Sequence, residues 1–201
     1  MKYIKEQLFP TEVYIADDVL EEEYVDSMKE DILLSQQNKD KDNWQSDPKL
    51  HTKKKYKALT DKIIEVSKLV FKDKEYIYDT FQITDMWSNV LKPGEAHRPH
   101  THSNNILSGV YYVESDKAAG IQFYDPRPQA GVINPELKRF TKSNATAWEL
   151  HSVTNRMILF PSWLQHLVPI NRSKNKRISI AFNLMLKGIV GQSTDYQSAE
   201  F

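Results

Sequence analysis

At 201 residues the chain fits one domain large enough to bury a core without covalent staples. Lysine plus arginine equals aspartate plus glutamate at 27 each, so no net field draws it to nucleic acid or to an anionic membrane, and neither is an expected partner. There is no cysteine, which excludes thiolate metal sites and thiol nucleophiles and leaves histidine, carboxylate and amide groups as metal ligands. No apolar run reaches the roughly 18 residues of a membrane span, and the start, MKYIKEQLFPTEVYIADD, lacks a signal-peptide core, so a cytoplasmic protein is expected.

In chain order, a helix is predicted from about Asp18 to about Ser35. Leu20, Tyr24, Met28 and Ile32 recur every four residues, and Asp17 and Asp18 are placed to cap its amino end. The lysine-dense stretch Lys39 to Lys57 carries interspersed acids and turn-formers and reads as a solvated loop. A second helix, from about Tyr56 to about Phe71, follows from the spacing of Leu59, Ile63, Val66 and Val70. From Tyr76 the period changes to two, with Phe81, Ile83, Asp85 and Trp87 expected on one face and Gln82, Thr84 and Met86 on the other. Further strands are expected at Leu107 to Val113, Gly120 to Tyr124, Thr146 to Leu150, Asn155 to Phe160, His166 to Pro169 and Arg177 to Leu186. Many short strands after a helical segment predict a mainly β (α+β) domain. Its core is expected to be jelly-roll-like and antiparallel, with two amphipathic helices packed against one sheet. The expected division is a helical segment 1–75, a β core 76–188 and a loose polar tail 189–201.

The chemistry centres on histidines. In GEAHRPHTHSNN, His100 and His102 project from one face if the segment is extended, while His97 is out of that register. His166, at the start of a remote strand, supplies a third imidazole and would complete a facial set with open positions. The competing view is that clustered loop histidines are merely solvated. Eleven residues after His166, the strand RISIAFN puts Arg177, Ser179, Ala181 and Asn183 on one face. Arg177 and Ser179 can grip a carboxylate if that face points into a barrel, or the face is simply the wet side of an edge strand.

These residues lie in three stretches, WSNVLKPGEAHRPHTHSNNILSGVYYV, IQFYDPRP and MILFPSWLQHLVPINRSKNKRISIAFN. From about Trp87 to Leu186 the chain resembles the 2-oxoglutarate- and iron(II)-dependent oxygenases, specifically a bacterial and phage branch. The resemblance implies a double-stranded β-helix and Fe(II) as metal, with 2-oxoglutarate as cosubstrate and O2 consumed. It also implies oxidative decarboxylation to succinate and CO2, coupled to hydroxylation of a second substrate. His100 matches the family's proximal histidine, His166 the distal one and Arg177 the residue that grips the distal carboxylate of 2-oxoglutarate, with Ser179 a helper. The departure is at the position two after His100, where the family has an acid and this chain has His102. A three-histidine site is one resolution; others are His102 with Asn104, or a carboxylate from Asp85 or Asp125.

Asn89, in phase with Trp87, and Tyr112 are further candidates to hydrogen-bond a bound oxo-acid. Trp163 is expected to brace the loop that presents His166, and Arg127 and Arg156 to face an entrance. Two other readings stand beside the oxygenase: a three-histidine metal dioxygenase that uses no 2-oxoglutarate, and a non-catalytic jelly-roll binding module.

Overall fold

The computed structural model describes residues 1–37, 41–117, 119–192 and 196–201. Strand β1 (Tyr14–Ala16) leads into helix α1 (Glu22–Gln36), a short strand β2 (Trp44–Gln45) and helix α2 (Lys57–Asp73). Next come β3 (Thr80–Leu91), β4 (His97–His100), β5 (Leu107–Glu114) and β6 (Ile121–Tyr124). The core closes with β7 (Ala147–Leu150), β8 (Met157–Pro161), β9 (His166–Val168) and β10 (Arg177–Lys187). The named strands pair antiparallel, in a major sheet of order β1-β8-β5-β10-β3-β2 and a minor sheet of order β4-β9-β6-β7. This is the expected mainly β, jelly-roll-like core with two helices.

The central strands are buried on both faces, and successive residues alternate between two core clusters. Tyr111, Val113, Met157, Leu159, Ile178, Ile180 and Phe182 share a cluster with Val25, Met28 and Ile32 of α1 and Leu59, Ile63, Val70 and Phe71 of α2. Their strand neighbours Val110, Tyr112, Ile158 and Phe160 instead meet Ile121 and Phe123 of the minor sheet. The helices therefore cover the outer face of the major sheet, and the minor sheet covers its inner face. Each such aliphatic side chain taken from water contributes about 1.5–3 kcal/mol. No helix among the described residues is long and apolar enough to cross a membrane.

Four local expectations change. Helix α1 begins at Glu22 with no side-chain cap, and Asp18 is in a left-handed conformation with φ 52°. Asp17 is instead drawn to Arg156, whose Nε and Nη2 donate to its two oxygens at 2.6 and 2.9 Å. Asn155 holds the helix approach, accepting from the Leu20 amide at 2.9 Å and donating to the Leu20 carbonyl at 2.7 Å. The lysine-dense stretch is mostly exposed, as expected, but it is anchored: Trp44, Leu50 and Tyr56 are buried, and β2 pairs with β3. Its first two residues, Lys39 and Asp40, lie outside the described residues.

In β3 the register shifts opposite Asn183/Leu184, which pair with Asp85 and Ile83 and leave Thr84 as an extra residue. A bulge of this kind reverses the side-chain phase. Phe81 and Ile83 thus share the helix-side core with Met86 and Val90 rather than a face with Trp87. At the end of the chain, β11 (Ile189–Val190) pairs with β12 (Ala199–Glu200) within the segment expected to be a loose tail.

Strands β5 and β10 approach tightly where Gly109 lies opposite Phe182. A Cβ at Gly109 would sit 2.3 Å from Phe182 Cζ and 2.9 Å from the Ile158 carbonyl oxygen. Gly109→Ala should therefore cost about 1–3 kcal/mol, as overpacking does, read as a lower urea midpoint. Phe182→Leu should cost less when combined with Gly109→Ala than it does alone. Simple additivity of the two changes would refute the contact.

Candidate metal centre

Strands β4 and β9 pair so that His100 lies directly opposite His166. His102 follows two residues beyond, where its backbone N–H donates to the Ser162 carbonyl at 3.0 Å. Ring centroids are 4.4 Å apart for His100 and His166, 5.1 Å for His100 and His102, and 5.2 Å for His102 and His166. One ring nitrogen from each lies within 4.8 Å of the other two, close enough to serve a single ion.

The protonation pattern suits a metal. His100 Nδ1 faces the Arg98 carbonyl at 2.8 Å and His166 Nδ1 faces the Leu164 carbonyl at 2.9 Å. A carbonyl only accepts, so each Nδ1 carries the proton and each Nε2 keeps its lone pair for a ligand. Burial pushes the pKa of His102 and His166 down to about 4, with the neighbouring histidines adding to it, so both rings are neutral near pH 7. The His166 ring is fixed by Phe160, edge-on at 4.7 Å, and by Phe123 at 6.0 Å.

Among the described residues no carboxylate joins the three imidazoles. Asp85 pairs with Lys49 at 3.1 Å, and Asp125 pairs with Arg127 at 2.8 Å. Asn104 is exposed, in a left-handed turn with φ 60°. His97 opens β4 opposite Val168; burial, then the charges of Arg177 and His100, bring its pKa to about 4.

The inner face of the major sheet forms a ladder leading away from the histidines. Strand β10 is central, flanked by β5 and β3, so its polar face is not the wet side of an edge strand. Ser179 stands between Asn89 and Tyr112, Ala181 between Trp87 and Val110, and Asn183 between Asp85 and Ser108. Ser108 Oγ donates to Asn183 Oδ1 at 2.8 Å and lies 2.8 Å from Ser162 Oγ. This chain of small polar groups runs to the residue whose carbonyl anchors His102.

Arg177 is buried, and burial lowers its pKa from the usual arginine value. Its Nε donates to the Ala119 carbonyl at 2.8 Å and its Nη1 to Ser179 Oγ at 2.9 Å, with Cζ 4.9 Å from the Tyr112 ring centroid. Among the described residues no carboxylate lies within 4 Å of the guanidinium. The Tyr112 hydroxyl beside it is sealed from solvent without a well-formed hydrogen bond. A buried cation with no counter-ion among the described residues, beside a hydroxyl that lacks a well-formed hydrogen bond, fits an anionic ligand.

Other expectations are corrected. Trp163 is 58 % exposed; the buried residues of that turn are Ser162 and Leu164, and the Leu164 carbonyl takes the His166 proton. Arg127 and Arg156 are engaged with Asp125 and Asp17. Two contributors were not readable from spacing: Ser162, and Gln45, whose Nε2 donates to Asn89 Oδ1 at 2.9 Å.

Residues 85–183 match the model of the family described as "Putative 2OG-Fe(II) oxygenase". No curated protein sequence matches the chain. Among solved structures it is similar to the non-heme alpha-ketoglutarate-dependent epimerase SnoN from nogalamycin biosynthesis. There the identity is 10%, over 87% of this chain and 78% of that one, with TM-score 0.65. A prolyl-4-hydroxylase of Pseudomonas putida is 12% identical over 89% and 94% of the two chains, with TM-score 0.60. HygX of Streptomyces hygroscopicus, with nickel and 2-oxoglutarate bound, is 10% identical over 95% and 91%, with TM-score 0.60. At these identities the likeness to the solved structures is one of fold.

Removing one imidazole should break the centre. His102→Ala and His166→Ala are each expected to weaken iron(II) binding by at least about 100-fold, more than loss of a supporting contact does. Anaerobic titration would measure it, with circular dichroism confirming the fold. Unchanged affinity in either variant would remove that residue from the site.

Proposed function

Because the chain belongs to the 2-oxoglutarate- and iron(II)-dependent oxygenase superfamily, we propose that it is a dioxygenase that hydroxylates a second, organic substrate. The observation that carries this is a cluster of three imidazoles, two of them held by backbone carbonyls, in the same barrel as a buried guanidinium that has no counter-ion among the described residues. His100, His102 and His166 would hold iron(II). Arg177 would pair with the far carboxylate of 2-oxoglutarate, with Ser179, Tyr112 and Asn89 offering hydrogen bonds beside it. When bound, iron(II) with 2-oxoglutarate and O2 supplies the oxidising chemistry, decarboxylation to succinate and CO2 coupled to hydroxylation of a carbon–hydrogen bond.

The chain's own contribution is binding, orientation and exclusion of water. The Arg98 and Leu164 carbonyls keep the ligand nitrogens of His100 and His166 unprotonated. Ala119 and Ser179 aim the guanidinium, and Phe123, Phe160 and Val110 keep the barrel dry behind the metal site. The cysteine-free sequence suits a cytoplasmic enzyme.

The all-imidazole donor set favours one second reading, a three-histidine dioxygenase in which Arg177 takes the carboxylate of its own substrate. The two are separated by adding iron(II) and then 2-oxoglutarate to metal-free protein under anaerobic conditions. The proposal expects a weak visible charge-transfer band that needs both components and is lost in His166→Ala. Iron binding without the band would favour the second reading. Arg177→Ala should weaken 2-oxoglutarate binding by roughly 10- to 100-fold, the size of a charge-assisted contact, while iron(II) affinity stays within about twofold. Equal loss of both would count against the carboxylate role.

A further inference from the structure

Asn89 is buried on the inner face of β3, on the rung it shares with Ser179 and Tyr112. Its Oδ1 receives two donors, Trp87 Nε1 at 3.2 Å and Gln45 Nε2 at 2.9 Å. An indole nitrogen donates and never accepts, so the Asn89 atom it meets is the carbonyl oxygen, and this settles the orientation of the amide. The Gln45 atom meeting the same oxygen must then be its NH2. Both lone pairs of Asn89 Oδ1 are occupied. Its Nδ2 donates to nothing among the described residues and is left for a ligand in the barrel. The neighbouring rung position is Ser179, whose hydroxyl already receives Arg177 Nη1.

Gln45 lies 44 positions away in sequence, on an exposed edge strand outside the stretch that matches the family model. Its placement is built rather than incidental. Trp44, 3 % exposed, anchors β2 in the helix-side core, while Gln45 pairs directly opposite Asn89. The Ser46 amide donates to the Ser88 carbonyl at 3.0 Å, and Ser46 Oγ accepts from the Ser88 amide at 2.9 Å.

We infer that Gln45 is a positioning residue for the cosubstrate: with Trp87 it locks the Asn89 amide so that Nδ2 donates to the same carboxylate that Arg177 grips. This rests on the function proposed above. A glutamate at position 45 would offer only acceptors to Asn89 Oδ1, and a leucine would offer nothing.

The test measures anaerobic dissociation constants on iron(II)-loaded protein for 2-oxoglutarate and for 2-oxovalerate, which lacks the far carboxylate. Gln45→Leu is expected to weaken 2-oxoglutarate about fivefold and Gln45→Glu about tenfold or more, the range of one hydrogen bond to a charged group. Affinity for 2-oxovalerate and for iron(II) should stay at the wild-type value in both. A purely structural effect would move both acids together, so equal weakening of the two overturns the positioning role. Wild-type affinities in both variants, with Arg177→Ala still losing its preference for 2-oxoglutarate, would overturn the inference and leave the Arg177 assignment standing. Failure of the wild-type protein to bind 2-oxoglutarate would overturn both.

Discussion

A guanidinium buried in a barrel, with no acid among the described residues in ion-pair reach, is the constraint around which the site is organised. Taking such a charge out of water costs several kcal/mol even after relaxation. Its partners are an amide carbonyl, a hydroxyl and an aromatic face, which orient the charge without neutralising it. Glu149, the acid whose charge is felt by Tyr112, accepts from the Gly120 amide at 3.2 Å instead of meeting Arg177. An anion bound beside the guanidinium would relieve that cost.

The architecture keeps that charge dry. If β10 were an edge strand, water would solvate Arg177 and the charge would specify nothing. The strand instead lies between β5 and β3, and the two helices seal the outer face of the sheet. Ile178, Ile180 and Phe182 pack toward the helices, while Arg177, Ser179 and Asn183 share the inner face of the sheet. The absent side chain at Gly109 lets the Phe182 ring lie close over β5 and keeps the sheet tight where the polar rungs must stay aligned.

Much of this was legible because strands write their faces in period two. The pairing of His100 with His102, the remote His166 and the polar face of RISIAFN are patterns a reader can count, and the two helices follow from their apolar spacing. What escaped had physical reasons. The Thr84 bulge reverses a phase that no local residue type announces. Trp44, Leu50 and Tyr56 are single anchors dispersed among lysines, too sparse to show a period. The Asp17–Arg156 and Gln45–Asn89 contacts join residues far apart in the chain, and only the closed barrel brings them together. The brace expected of Trp163 falls to its neighbours, because the turn leaves the indole in solvent and buries Ser162 and Leu164.

The missing carboxylate ligand then acquires a meaning in charge rather than in geometry. Three neutral imidazoles would leave the full double charge of a divalent ion uncompensated by the protein, where two imidazoles and a carboxylate would leave one unit. Arg177 adds a second positive group in the same barrel, again without an acidic partner. A ligand with one carboxylate can relieve one of these groups. A molecule with an acidic group at each end could relieve both, one end meeting the ion and the other Arg177. With His102 where the family has an acid, a dicarboxylate would bring the ion negative charge that no side chain of the three-histidine cluster offers.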